Sequence, residues 1–290
     1  MSYTVFTDAC SNLPGSLIQR FDIHVLPCSY LMDGEQGVYE GNIDAFDSHD
    51  YYEKLRNGSE MKTSLLNSQL FLDHFRPELE KGLDVVYVGL SSGVSGTLQA
   101  AQIAANMLAD EYPNRTVRVI DSLGAALGPG LLTCRAAELR EEGKTANEAG
   151  DILDIEVSKL LQFFTVADLN FLKRTGRVSG PTAAIGTVLN IKPLLWGDPT
   201  GHIVAYSKCR GRQKAIDAIV EQYRTKVVDP QNQRIGITHG DCLEEAELLA
   251  KRVCEIAQPK EIIIVPHEPF TGAHVGPGML ALFFFGEERK

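Results

Sequence analysis

Gly89-Leu90-Ser91-Ser92-Gly93-Val94-Ser95-Gly96-Thr97 is the stretch that decides the fold. The apolar run Val85-Val86-Tyr87-Val88 precedes it, and a helical pattern begins near Leu98. A strand that passes through a serine- and glycine-rich turn into a helix N-terminus is an anion site in outline. Glycine lets the backbone approach a ligand, and the first-turn N–H groups of a helix have no intrahelical partner. Three serines and a threonine in nine residues add donors without adding positive charge. That chemistry suits one carboxylate better than a polyphosphate. The stretch fits neither the phosphate-loop nor the dinucleotide fingerprint. Gly89-Leu90-Ser91-Ser92-Gly93 does fit the G-x-S-x-G nucleophile elbow, so a serine hydrolase using Ser91 and His274 is a rival reading. Serine-rich turns of this kind also occur in α/β proteins without binding anything.

Outward from the turn, strand and helix patterns alternate. Strands are expected at 3–7, 23–27, 84–90 and 116–120. Helices are expected from Pro14 toward Phe21, at 68–80, from Leu98 to Leu108 and at 124–142. Residues 29–62 read as a polar, irregular excursion with a short helix near 47–56. This order predicts an α/β fold whose N-terminal domain, residues 1–155, is a three-layer α/β/α arrangement on a mostly parallel sheet. Ligands of such sheets bind beyond the carboxyl ends of the strands. Asp8, Ser91–Thr97 and Asp121-Ser122 all follow strand ends, so they are expected to cluster on one edge. The remainder, 156–290, reads as a second α/β domain with a mixed sheet. Its strands are expected at 162–166, 203–206, 234–238, 261–265 and 279–284, with helices at 211–227 and 243–257.

Composition narrows the function. The chain has 290 residues, is 44% hydrophobic and carries a net charge of −10, which argues against a general nucleic-acid binder. Its first residues lack the basic and apolar regions of a signal peptide, and no stretch approaches 18 apolar residues. A cytoplasmic location is expected. Six cysteines lie far apart with no C-x-x-C, so they are expected to be reduced and mostly structural; no metal site or cofactor is predicted.

Further segments complete an ordered set. They are Asp8-Ala9-Cys10-Ser11-Asn12-Leu13-Pro14, Thr63-Ser64, Val119-Ile120-Asp121-Ser122, the basic turn Asp168 to Ser179, Lys192-Pro193-Leu194-Leu195 and His274-Val275-Gly276-Pro277-Gly278. Together with the serine turn they resemble the DegV family along essentially the whole chain. The resemblance implies a long-chain fatty acid held between two domains. It also implies a partner, the catalytic subunit of a fatty acid kinase, which phosphorylates the acyl carboxylate with ATP. By resemblance Ser95 and Gly96, with Thr63 or Ser64, hold the carboxylate, and His274 orients it. Arg174, Arg177 and Arg210 are candidates for docking the kinase or its nucleotide. Phe163, Phe164 and residues 189–195 are candidates for lining an acyl tunnel. The alternative under the same resemblance is a stand-alone fatty acid carrier or sensor, and transient contact with a membrane surface is allowed. Two segments depart from the family pattern. Thr63-Ser64-Leu65-Leu66 stands where many members have Thr-Ser-Gln-Pro, and Ala9 stands where serine is usual.

Overall fold

The computed structural model describes residues 2–178, 182 and 190–290. The chain forms two compact units, one of Met1–Asp44 with Lys62–Val157, the other of Ala45–Met61 with Ser158–Lys290. The segment 45–61, counted with the first domain on sequence alone, therefore packs in the second unit.

In the first unit, strands β1 (Tyr3–Asp8), β2 (Ile23–Leu26), β6 (Asp84–Gly89) and β7 (Val117–Asp121) form a parallel sheet in the order β2-β1-β6-β7. Every residue of β1 and β6 is buried, as a parallel sheet covered on both faces requires. Alternation along β1 identifies the covers. The Tyr3 hydroxyl donates to the Ala136 carbonyl of α5 (Leu127–Glu141). Its neighbour Thr4 reaches across the other face to Glu78 of α3 (Ser68–Glu80), and Phe6 stacks edge-on to Phe75 at 5.0 Å. Successive strand residues point to opposite faces, so α3 and α5 cover opposite faces and the layers are α/β/α. Phe71, Phe75 and Tyr87 continue the aromatic cluster under α3, each pair adding about 0.5–1.5 kcal/mol beyond its buried area. Helix α4 (Thr97–Glu111) packs on β7. Helix α6 (Ala146–Glu156), which the sequence reading passed over, opens with a capping box between Thr145 and Glu148.

The excursion is more regular than its polarity suggested. Strands β3 (Cys28–Met32) and β4 (Glu35–Tyr39) pair antiparallel, and β5 (Met61–Thr63) joins them in the order β4-β3-β5. The two-residue connection is Asp33-Gly34, with φ of 51° and 91°. Positive φ at both positions is what a primed hairpin turn demands, and Asp-Gly is its ordinary sequence. The hairpin was overlooked because its strands are half exposed and carry little apolar alternation.

The second unit has a six-stranded mixed sheet in the order β10-β9-β8-β13-β11-β12. Its strands are β8 (Leu160–Thr165), β9 (Ile191–Gly197), β10 (Ile203–Arg210), β11 (Arg234–His239), β12 (Glu261–Pro266) and β13 (Leu280–Phe285). Only β11 and β12 run parallel. Helices α8 (Arg212–Lys226) and α9 (Leu243–Ile256) supply Ile216, Ile219, Tyr223, Leu249 and Val253 to a core shared with Phe163, Ile237 and Phe284. Strand β9 was missed because Pro193 sits inside it. Helix α2 (Ser48–Arg56) belongs to this unit: the Tyr51 hydroxyl donates to the Pro269 carbonyl at 2.6 Å and that of Tyr52 to the His267 carbonyl at 2.9 Å. Among the described residues no helix is long and apolar enough to cross a membrane.

One glycine tests how tightly α5 is seated. A Cβ on Gly130 would collide with the Ser11 backbone carbonyl and crowd the Leu13 side chain. Backbone cannot swing aside as a side chain can. Gly130→Ala is expected to lose about 1–3 kcal/mol despite the better helix propensity of alanine. Urea unfolding of the two proteins measures it; an unchanged or raised midpoint would show that α5 has slack there.

Candidate functional site

The expected clustering at the carboxyl ends of the first sheet is observed. Asp8 closes β1, and its carboxylate accepts from the Tyr87 hydroxyl at 2.7 Å, the Cys10 amide at 2.9 Å and the Leu90 amide at 3.4 Å. Leu90 begins the serine turn. Asp121, closing β7, accepts the Ser92 amide at 3.2 Å, and the Ser91 amide donates to the Gly124 carbonyl at 2.9 Å. Three strand ends thus hold one turn in place. Burial pushes the Asp8 carboxyl up, opposed by these hydrogen bonds.

The turn itself divides its serines by role. Ser91 is 1% exposed, and its Oγ accepts the Gly93 amide at 3.1 Å. Its backbone is not among the strained positions; those beside this edge are Leu123 and Ala126, with φ of 48° and 50°. A nucleophile elbow needs an exposed serine on a strained turn, so this geometry is the opposite of the hydrolase reading. Ser91 shapes the turn.

Ser95 is half buried. Its hydroxyl donates to Thr97 Oγ1 at 3.1 Å and accepts the Thr97 amide at 3.3 Å. Gly96 is exposed at the N-cap of α4 and brings no side chain to cap its first turn. A 15-residue helix presents partial positive charge at this end. The segment after Thr63 and Ser64 lies against the same turn: the Leu66 amide donates to Thr97 Oγ1 at 3.4 Å, and a Cβ on Gly96 would stand 3.3 Å from Leu65. The Ser64 amide is tied to the Ser29 carbonyl at 3.1 Å. Thr97, which the sequence offers only as one hydroxyl donor among four, is buried and central to these bonds. The result is a cluster of neutral hydroxyls on a helix start.

In the second unit, His274 lies in α10 (Pro269–Val275), beside α7 (Asn170–Arg174). Glu268 caps α10 by accepting the Phe270 and Thr271 amides, and Pro269 occupies the first helical position. Glu268 belongs to a buried chain. The Thr271 hydroxyl donates to it; the Thr271 oxygen stands 2.8 Å from His267 Nε2, and Thr238 Oγ1 stands 2.9 Å from His267 Nδ1. With Thr271 donating to the carboxylate, His267 carries its proton on Nε2 and accepts from Thr238 on Nδ1. Burial drives His267 down to about 3, which keeps it neutral. The signal for this cap, Glu268-Pro269, was in the sequence and unused.

Arg174 and Arg177 gather near His274. The Arg174 guanidinium lies 5.0 Å from the Phe171 ring centre and 3.8 Å from the Glu60 carboxylate, and Gly276 leaves room for that same ring. Arg210 ends β10, exposed and opposite Ile191 in the ladder. Phe163 is core, stacked between Trp196 and Phe284. Leu189 lies outside the described residues.

Burial, then the charges of Arg177 and Arg174, hold the His274 pKa down at about 4. The ring is neutral at pH 7 and offers one donor and one acceptor. Between about pH 6.5 and 4 the unfolded chain takes up a proton that the folded site refuses, so this group costs stability as pH falls through that window. A histidine NMR titration is expected to show no protonation of His274 down to pH 5.5, with Arg177→Gln raising its midpoint. A wild-type midpoint at 6.5 or above would refute the assignment.

The comparisons with known proteins agree along the length of the chain. The model of a family described as uncharacterised proteins of the DegV family matches residues 2–287. A DegV domain-containing protein of Clostridium perfringens (strain 13 / Type A) is 35% identical over 99% of both chains. Among solved structures, a DegV family protein of Thermus thermophilus described by its fatty acid binding aligns with a TM-score of 0.88 at 29% identity, covering 99% of this chain and 100% of its own. DegV of Bacillus subtilis, described as a fatty acid binding protein, aligns with a TM-score of 0.84 at 27% identity over 99% and 100%. The chain belongs to the DegV family.

Proposed function

We propose that this protein binds a long-chain fatty acid and presents its carboxylate to a fatty acid kinase for acyl phosphate formation. The observation that carries the binding is the full-length match to fatty-acid-binding relatives, joined to a neutral hydroxyl cluster on a helix start. In this reading Ser95, Gly96 and Thr63 or Ser64 hold the carboxylate, and neutral His274 completes its hydrogen bonding. The choice of neutral groups has a chemical reason. A bidentate arginine would satisfy both carboxylate oxygens and lower their basicity. Hydroxyls and amides hold the group while leaving one oxygen electron-rich enough to attack the terminal phosphorus of ATP, with ADP leaving. The protein itself is a binding subunit, not a catalyst, and works in the cytoplasm.

Burying a C16 chain is worth about 10 kcal/mol gross, at about 0.8 kcal/mol per CH₂, before the cost of association. Delipidated protein is expected to bind palmitate or oleate at about 1:1 with sub-micromolar affinity. Native mass spectrometry of the purified protein should show a co-purified C14–C18 acid. Ser95→Ala removes a hydrogen bond to a charged group, about 1.5–3 kcal/mol, or about 10- to 100-fold in affinity. No saturable binding by the wild type would end the fatty acid reading. Equal affinity in the variant would move the head group elsewhere.

Arg174, Arg177 and Arg210 are assigned to docking the kinase or its nucleotide. Arg174 and Arg210 are exposed, and exposed positive charge stands out on a chain of net charge −10. Changing Arg174 or Arg210 to Ala is expected to slow acyl phosphate formation with a purified fatty acid kinase subunit while palmitate affinity stays nearly intact. Rim charges act through encounter rate, so the defect should shrink as salt rises. If the wild type gives no stimulation, the protein is a stand-alone carrier or sensor.

A further inference from the structure

Asp8, Cys10 and Cys28 converge inside the first unit. The two sulfurs lie 3.9 Å apart, and one ligand atom from each of the three residues lies within 4.8 Å of the others. Exposures are 1%, 2% and 1%. Three pieces of backbone bring them there: the end of β1, the 3-10 turn Ala9–Ser11 that follows it, and the first residue of β3. We propose that this trio holds a thiophilic divalent cation of the zinc class.

Geometry is the first support. Two thiolates at about 2.3 Å on a tetrahedral cation stand about 3.8 Å from one another, close to the separation found. The carboxylate is already aimed. Tyr87 and the Leu90 amide fix Oδ2 and the Cys10 amide fixes Oδ1, so little side-chain freedom remains to be lost on binding. Charge is the second support. Asp8 is fully buried, and the groups that bond it are all neutral. A buried carboxylate surrounded by neutral donors is stabilised further by a cation beside it. Softness is the third. Two sulfurs and one oxygen select zinc-like ions over calcium or magnesium, which prefer all-oxygen cages. Binding releases two protons: the divalent cation, two thiols and the carboxylate become a dithiolate–carboxylate complex, leaving one tetrahedral position for a water. The site does not use the serine hydroxyls, so it stands or falls apart from the fatty acid reading.

The full-length protein, reduced with a phosphine and refolded with Zn²⁺, should retain about one ion per chain through gel filtration. Its X-ray absorption spectrum should show two sulfur neighbours at about 2.3 Å. Co²⁺ in place of Zn²⁺ should give a thiolate charge-transfer band, lost in Cys10→Ala and Cys28→Ala and kept in Cys254→Ala. Zn²⁺ should also raise the thermal midpoint of the wild type but not that of folded Cys28→Ala. The absorption spectrum needs no variant, so a misfolded substitution does not leave the question open. A wild type that retains no metal, a zinc shell without sulfur, or retention indifferent to Cys10 and Cys28 overturns the proposal. So does a wild type in which Cys10 and Cys28 are isolated as a disulfide under the same reducing conditions.

Discussion

The first unit is organised by one buried carboxylate. Asp8 sits at the end of β1 and ties that end to β6 through Tyr87, to the serine turn through Leu90 and to its own 3-10 turn through Cys10. Each neutral hydrogen bond inside a protein contributes about 1 kcal/mol, and those to a charged group more. The positional effect matters more than the sum. A donor left unsatisfied in this interior would cost about 1–3 kcal/mol, so the turn cannot drift from the strand end without penalty. That is how a flexible sequence of serines and glycines becomes a fixed arrangement of hydroxyls.

The second unit solves a related problem with different groups. Glu268 is fully buried, caps α10, and receives the Thr271 hydroxyl, while His267 and Thr238 extend the chain of bonds into β11. Tyr52 from α2 bonds the His267 carbonyl. The helix that carries His274 is therefore pinned at its start by polar contacts from three separate pieces of chain. Its other end turns through Gly276 at φ 75°, where a side chain would strike Phe171. Both units hold their candidate ligand groups on short rigid helical starts or ends, seated by buried polar bonds instead of by apolar packing alone.

Much of this was legible in the chain. The parallel strands of the first unit are continuous apolar runs ending in turn residues, and the serine turn sits at the one junction where strand, glycine and helix signals meet. Ser91 was misleading because local spacing says nothing of which way an Oγ faces; the Gly93 amide that donates to it settles that. Strand β9 hid behind Pro193, and the excursion hid a hairpin whose turn, Asp33-Gly34, was a clear signal among weak neighbours. The polar networks were invisible for a deeper reason. Asp8 with Tyr87, or Thr4 with Glu78, join residues 74 to 79 apart, and no periodicity reports a partner at that distance. Glu268 looked like an ordinary acidic residue before a proline.

The path of the chain has a consequence for how the protein is made. Residues 45–61 leave the first unit's sequence to pack in the second, and the chain then returns before leaving for good at 158. During synthesis, helix α2 emerges more than two hundred residues before the chain segment it bonds, Tyr51 and Tyr52 standing 218 and 215 residues ahead of Pro269 and His267. Tyr51, Tyr52 and Leu55 must wait, apolar and uncovered, until Pro269 and His267 have left the ribosome. At about 5–20 residues per second that delay is tens of seconds. The first unit is complete once Val157 has emerged, but the second, which opens with residues 45–61, cannot be finished before nearly all of the chain exists. A nascent chain of this pattern leaves the apolar face of Tyr51, Tyr52 and Leu55 open to solvent through that whole interval, and it is then that chaperones have something to hold.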